Sequence, residues 1–252
     1  MATQIGGTAM RPIVLLLATV FAGASANANA QDIFSDPSNL KVLPEDVSPA
    51  ELRAKMRLFA MATGSRCESC HVGEAGAPLD TFDFASDDRE RKRIAREMMR
   101  MTATINETID GLDPPRSSVT CMTCHRGTEK PRSTVEEMEI AAAGADPAAA
   151  LARFRELRER YYGSHSYDFT EAVLLTYGER LAPSDPAAAE TIVEANLTWF
   201  PESLRTWLTL GQLRSATGNA GGARAALDRA LELAPDDRTR GWIQSQLNGL
   251  AE

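Results

Sequence analysis

Two five-residue clusters concentrate the chemistry of this chain: Cys67-Glu68-Ser69-Cys70-His71 and Cys121-Met122-Thr123-Cys124-His125. Together they use all 4 cysteines and two of the 3 histidines in 252 residues. Two thiols three positions apart can form thioethers to the two vinyl edges of one haem, and a histidine directly after the second thiol offers its imidazole to the iron as proximal ligand. Two such pentads predict two haem c groups per chain. Cys67, Cys70, Cys121 and Cys124 are then the covalent attachment points, and His71 and His125 the proximal iron ligands. Zinc is the main rival, since two Cys-x-x-Cys pairs could supply four thiolates. The gap between Cys67 and Cys121 is far longer than in a zinc ribbon, however, and zinc needs no histidine after each pair. A redox dithiol or a structural disulfide also leaves both histidines unexplained.

The sixth iron ligand is constrained by histidine scarcity. With His71 and His125 assigned, only His165 remains, so at most one haem can have two histidine ligands. Methionine is the obvious alternative, because its soft thioether ligates haem iron and raises its potential.

Helix patterning narrows the choice. Ser48-Pro49-Ala50-Glu51 forms a capping box with proline at the first helical position, and Gly64 supplies a stop. Between them Leu52, Met56 and Phe59 share a face, so Met56 points inward on a helix that leads into the first pentad. Met61 reads as core. A second helix is expected from Ser86-Asp87-Asp88 to Gly111, with Ile94, Met98, Met101 and Ile105 as its apolar face and Met99 about a hundred degrees away. From pattern alone Met98 and Met101 are equal candidates, and plain core packing is the ordinary meaning of methionine at helical spacing.

The blocks Met56…Gly64-Ser65-Arg66-Cys67…His71, Asp83-Phe84-Ala85-Ser86-Asp87-Asp88, Ala95-Arg96-Glu97-Met98-Met99-Arg100-Met101-Thr102 with Ile105-Asn106, and Val119-Thr120-Cys121…His125-Arg126-Gly127 resemble the photosynthetic reaction-centre cytochrome c subunit family. The likeness covers roughly residues 40–132 and extends beyond the pentads into the linking helix. In that family a helix upstream of each pentad carries an axial methionine. Carried over by position, the resemblance implies Met56 as axial ligand of the first haem and Met98 of the second. The reaction-centre subunit itself carries four haems, and many members have a lipid-anchoring cysteine. Two pentads and no such cysteine fit the small dihaem, exported members.

The rest of the chain sets the context. After Arg11 an apolar stretch from Pro12 to Ala22 leads to Ala28-Asn29-Ala30, the signature of a cleaved secretory signal over residues 1–30. That stretch is too short to span a bilayer, so an exported, soluble, periplasmic protein without an integral membrane segment is expected. Composition is that of a globular chain, 43% hydrophobic and 25% charged. The net charge of −8 and the absence of a basic block argue against nucleic acid as partner.

Residues 31–136 hold every cysteine and read as a dihaem cytochrome c domain. Residues 137–252 are rich in Ala, Leu and Arg, with a join at Ala141–Pro147. Within the second region Trp207, Leu210-Gly211, Gly218, Ala223, Leu227, Ala230 and Pro235 resemble the tetratricopeptide repeat, and Val173, Ala189, Val193 and Pro201 mark a degenerate earlier unit. An earlier helical segment around Ala148–Tyr162 completes the stack, which is expected to dock onto the haem region. The fold class is all-α. His165 reads as a surface loop residue.

A chain whose two irons both carry six ligands has no open position for a substrate, so the expectation is an electron carrier rather than an enzyme. It would pass single electrons between a redox donor and an acceptor, with the helical repeats either shielding the haems or holding a protein partner. A dihaem enzyme such as a peroxidase would need one haem without a strong sixth ligand. An interaction protein would make the repeats primary and the haems a sensor.

Overall fold

A computed structural model describes residues 32–114, 116–143 and 146–250; the expected signal over residues 1–30 lies outside them. Regular structure among the described residues is helical apart from an isolated antiparallel bridge between Val72 and Asp83, as an all-α chain requires. Among these residues no helix is long and apolar enough to cross a membrane.

The first helix, α1 (Pro49–Thr63), starts and stops where local chemistry dictates. The Ser48 hydroxyl accepts from the Glu51 N–H, and the Glu51 carboxylate accepts from the Ser48 N–H at 3.1 Å. Gly64 ends the helix in the left-handed region at φ 65°. Leu52 and Ala62 are buried, whereas Met56 and Phe59 are half-buried. Met61 is 66% exposed, contrary to its expected place in the core. It lies about half a turn around the helix from Leu52, on the side away from the packing.

The first pentad forms a single turn, α2 (Cys67–Cys70), followed by the linking helix α3 (Glu90–Asp110). This helix begins later than Ser86-Asp87-Asp88 suggests, and Arg89 at its N-cap makes no side-chain bond. The expected capping groups are engaged elsewhere: Ser86 Oγ accepts from the Asp88 N–H, and the Asp87 carboxylate is surrounded by Asn39, Lys41, Lys92 and Arg96. The second pentad forms α4 (Cys121–His125), which packs against α1, while α2 packs against α3.

Beyond it come α5 (Thr134–Ala142), α6 (Pro147–Tyr161), α7 (Glu171–Leu181), α8 (Pro186–Ala195), α9 (Leu204–Ala216), α10 (Ala220–Glu232) and α11 (Asp237–Gly249). They pack as successive pairs, α5 on α6, α7 on α8 and α9 on α10, with α11 against α10. The tetratricopeptide-like spacing has a packing cause. A Cβ on Gly211 of α9 would lie 2.8 Å from the Leu227 side chain of α10, and one on Gly178 of α7 would collide with Val193 of α8. The same close helix crossing thus recurs one repeat apart.

The Ala141–Pro147 join falls where α5 ends at Ala142 and α6 begins at Pro147. Val135, Met138 and Ala142 of α5 share a core with Ala150, Leu151, Phe154 and Leu157 of α6 and with Val173, Leu174 and Ile192 further on. Glu137 reinforces this seam by accepting from Arg153 Nε at 3.1 Å and Nη2 at 2.6 Å.

Candidate functional site

All four cysteine thiols are unpaired: Cys67 and Cys124 are exposed, Cys70 and Cys121 half-buried. Among the described residues no three His, Cys, Asp or Glu side chains converge as metal donors. The pentads occupy separate helical turns, an arrangement that does not assemble the tetrahedral thiolate set of a structural zinc.

In the first pentad the His71 N–H bonds to the Cys67 carbonyl at 2.9 Å, closing the turn. The His71 ring meets the edge of Phe84 at 5.0 Å, and Phe84 stacks on the buried Phe82 at 5.6 Å. Gly73 leaves the room that Phe82 needs, since any Cβ there would run into its ring. His71 Nδ1 is buried without a hydrogen-bond partner. Burial first, then the charge on Lys92, pushes the imidazole below its usual pKa; the Phe84 backbone opposes that shift without reaching bonding geometry to Nδ1. Burial also raises the Cys70 thiol.

The loop carrying Phe84 is fastened from α3. Lys92 Nζ donates to the carbonyls of Phe84, Ala85 and Ser86 at 2.9, 2.9 and 2.7 Å. Arg96 bonds Asp87 at 2.7 Å and the Asn39 carbonyl at 2.9 Å. Lys41 above all, with Asn39, Arg96 and Lys92, holds the Asp87 carboxyl well below the usual carboxylate range. A depressed folded-state pKa means that this contribution to stability is present above the ordinary carboxylate pKa and is lost as the pH falls through the lowered value. Asp87→Asn is therefore expected to lower the melting temperature at pH 7. Thermal melts at a series of pH values should show the gap from the parent narrowing on acidification.

In the second pentad His125 Nδ1 lies 3.0 Å from the Thr128 carbonyl, which can only accept, so in the neutral imidazole Nδ1 carries the proton and Nε2 the lone pair. This fixes the tautomer that a metal-ligating imidazole needs. Ahead of α4, the Asn106 side chain of α3 grips Val119 from both sides: its Nδ2 donates to the Val119 carbonyl at 3.0 Å and its Oδ1 accepts from the Val119 N–H at 2.8 Å. One side chain thus sets the entry of the second pentad.

The methionines are divided between faces. Ile94, Met98, Met101 and Ile105 lie along one side of α3 as the period predicts, but they are 47, 38, 47 and 37% exposed rather than facing inward. The side that the chain covers carries Lys92, Arg96, Met99, Asn106 and Ile109, all half-buried. The polar grips on the 83–88 loop and on Val119 turn that side towards the protein and leave the apolar row open. His165 is exposed, with φ 62°, and lies next to the buried Ser166.

These features fit covalently held haem. Each pentad offers two unpaired thiols beside an imidazole, one with a buried unpartnered nitrogen and one with its tautomer set, and α3 adds an apolar row containing two thioethers. Sequence reasoning missed the supporting residues Lys92, Asn106 and Thr128. Only Asn106 left a trace, as part of the Ile105-Asn106 block.

An all-α chain with two Cys-x-x-Cys-His turns followed by helical repeats has the layout of a c-type cytochrome joined to a repeat region. The sequence model of the photosynthetic reaction centre cytochrome C subunit matches residues 16–172, and that of the tetratricopeptide repeat matches residues 180–248. The first match covers more than half of the chain, and the chain belongs to the reaction-centre cytochrome c subunit family. Membership implies covalently bound haem c. The photosynthetic reaction center cytochrome c subunit of Roseobacter denitrificans is 34% identical over 104 residues, which are 40% of this chain and 26% of the relative. The match thus spans about a quarter of that protein's length. No solved structure matches the chain.

Proposed function

We propose that the protein is an exported, periplasmic dihaem c-type cytochrome that carries single electrons between a redox donor and an acceptor protein. The observation that carries this reading is the pair of pentads, each folded as one helical turn with both thiols unpaired and an imidazole beside them. Bound haem c would supply a one-electron iron couple. Cys67 and Cys70 would hold one haem and Cys121 and Cys124 the other, with His71 and His125 as proximal ligands. Met56 and Met98 are the proposed axial ligands, in keeping with the family pattern and with the place of Met98 in the open apolar row. Two strong ligands per iron leave a carrier rather than an enzyme. Residues 1–30 serve as signal, 31–136 as the haem-bearing domain and 137–252 as a helical domain whose repeats can also receive a protein partner.

The test is a haem count. Purified mature protein is expected to keep its colour through acid-acetone extraction and to contain two haems per chain by haemochrome assay. Cys121→Ala should leave one haem poorly retained and the other intact. A single haem in the parent chain, or stoichiometric zinc, overturns the reading.

A further inference from the structure

The Arg126–Gly127 peptide group, one residue beyond His125, is held by two distant parts of the chain. Its carbonyl, that of Arg126, accepts from the Ser166 hydroxyl at 2.6 Å. Its N–H, that of Gly127, donates to the Ala62 carbonyl of α1 at 2.8 Å. Arg126 has φ 50° and Gly127 φ 88°, a left-handed pair that a residue with a Cβ enters only when its surroundings hold it there. The approach to α1 is so close that a Cβ on Gly64 would strike the Gly127 carbonyl. Directly after this clamp comes the buried Thr128, whose N–H and hydroxyl bond back to the His125 carbonyl at 2.9 and 2.8 Å and whose own carbonyl fixes His125 Nδ1 at 3.0 Å.

Ser166 is buried, and its loop is anchored to the end of α6. Ser164 Oγ donates to the Tyr161 carbonyl at 2.6 Å and accepts from the Ser166 N–H at 3.3 Å. We propose that Ser166 is a positioning residue for His125, so that the loop from Gly163 to Tyr167 of the helical half forms part of the second haem site. This inference rests on the dihaem reading and adds an element outside the pentads to it. Ser166 acts through the Arg126–Gly127 peptide and the Thr128 turn, and so on the hydrogen bond that makes the imidazole a stronger donor. Loosening that bond weakens electron donation by His125 and favours the reduced iron, which raises the potential.

The experiment is a redox titration of the full-length holoprotein, with low-temperature electron paramagnetic resonance, for the parent, Ser166→Ala and Ser166→Thr. In Ser166→Ala one haem is expected to shift to a higher midpoint potential and to change its low-spin signal, while the other stays in place. Ser166→Thr, which keeps the hydroxyl, should return both readouts to parent values. A lower melting temperature with unchanged potentials, an equal shift of both haems, or a Ser166→Thr shift as large as that of Ser166→Ala overturns the proposal. Haem is counted in the same samples. A parent with fewer than two haems overturns the dihaem reading and this inference with it, whereas a parent with two haems indifferent to Ser166→Ala overturns the inference alone.

Discussion

Met98→Ala is expected to remove the sulfur-to-iron charge-transfer band of one haem and either lower that haem's potential or open it to carbon monoxide. Thioether ligation stabilises ferrous iron, so its loss acts on the redox couple itself. Met101→Ala is the natural control. The two side chains lie in one row of α3 with similar exposure, 38 and 47%, so their packing losses should be alike. Both should fall below the about 2–5 kcal/mol that truncating a fully buried methionine costs. Any large spectral difference between the two variants therefore reports ligation and not packing. Met56→Ala should do to the first haem what Met98→Ala does to the second. If Met101→Ala abolishes the band and Met98→Ala spares it, the ligand lies one turn further along α3. If His165→Ala changes the axial spectrum while Ser166→Ala does not, the remaining histidine is a ligand and the helical half supplies it directly.

The candidate haem-binding pentads and the helix ends were legible because their signals are local. A Cys-x-x-Cys-His pentad, the Ser48–Glu51 capping box with Gly64, and the small residues at Gly211 and Ala223 are each written within a helix or one repeat. The orientation of α3 was not legible in the same way. Its period identifies the row Ile94, Met98, Met101 and Ile105, but which side faces the protein is decided by polar grips from Lys92, Arg96 and Asn106 on backbone groups of other segments. Such contacts have no period. Ser86 and Asp87 failed as capping residues for a related reason, because a carboxylate with several cationic and amide partners nearby has stronger claims on it than a helix end. Ser166 and Arg126 meet across a separation of 40 residues through a serine hydroxyl and a backbone carbonyl, two groups that no motif marks.

Met138→Ala is expected to cost about 2–5 kcal/mol of stability, as for other fully buried methionines, and the cost should appear in the helical half. Met138 is completely buried, although α5 follows the second pentad closely and the chain has no other methionine beyond it. Its core neighbours are not the pentads but residues of α6, α7 and α8, among them Phe154, whose ring meets Phe169 at 5.7 Å and Trp199 at 5.0 Å. The same packing predicts how the chain can be divided. A fragment beginning at Arg132 keeps α5 over the apolar side of α6 and retains Glu137 as partner of Arg153, so it should fold cooperatively and without colour. A fragment beginning at Asp146 exposes Ala150, Leu151, Phe154 and Leu157 and leaves Arg153 without Glu137; it should aggregate or melt well below the longer one. Circular dichroism melts and sedimentation of the two fragments provide the check. Equal stability would mean that α5 contributes nothing to the helical half. The deep burial of Met138 opposes that outcome, and so does the loss of Glu137 as partner of the half-buried Arg153.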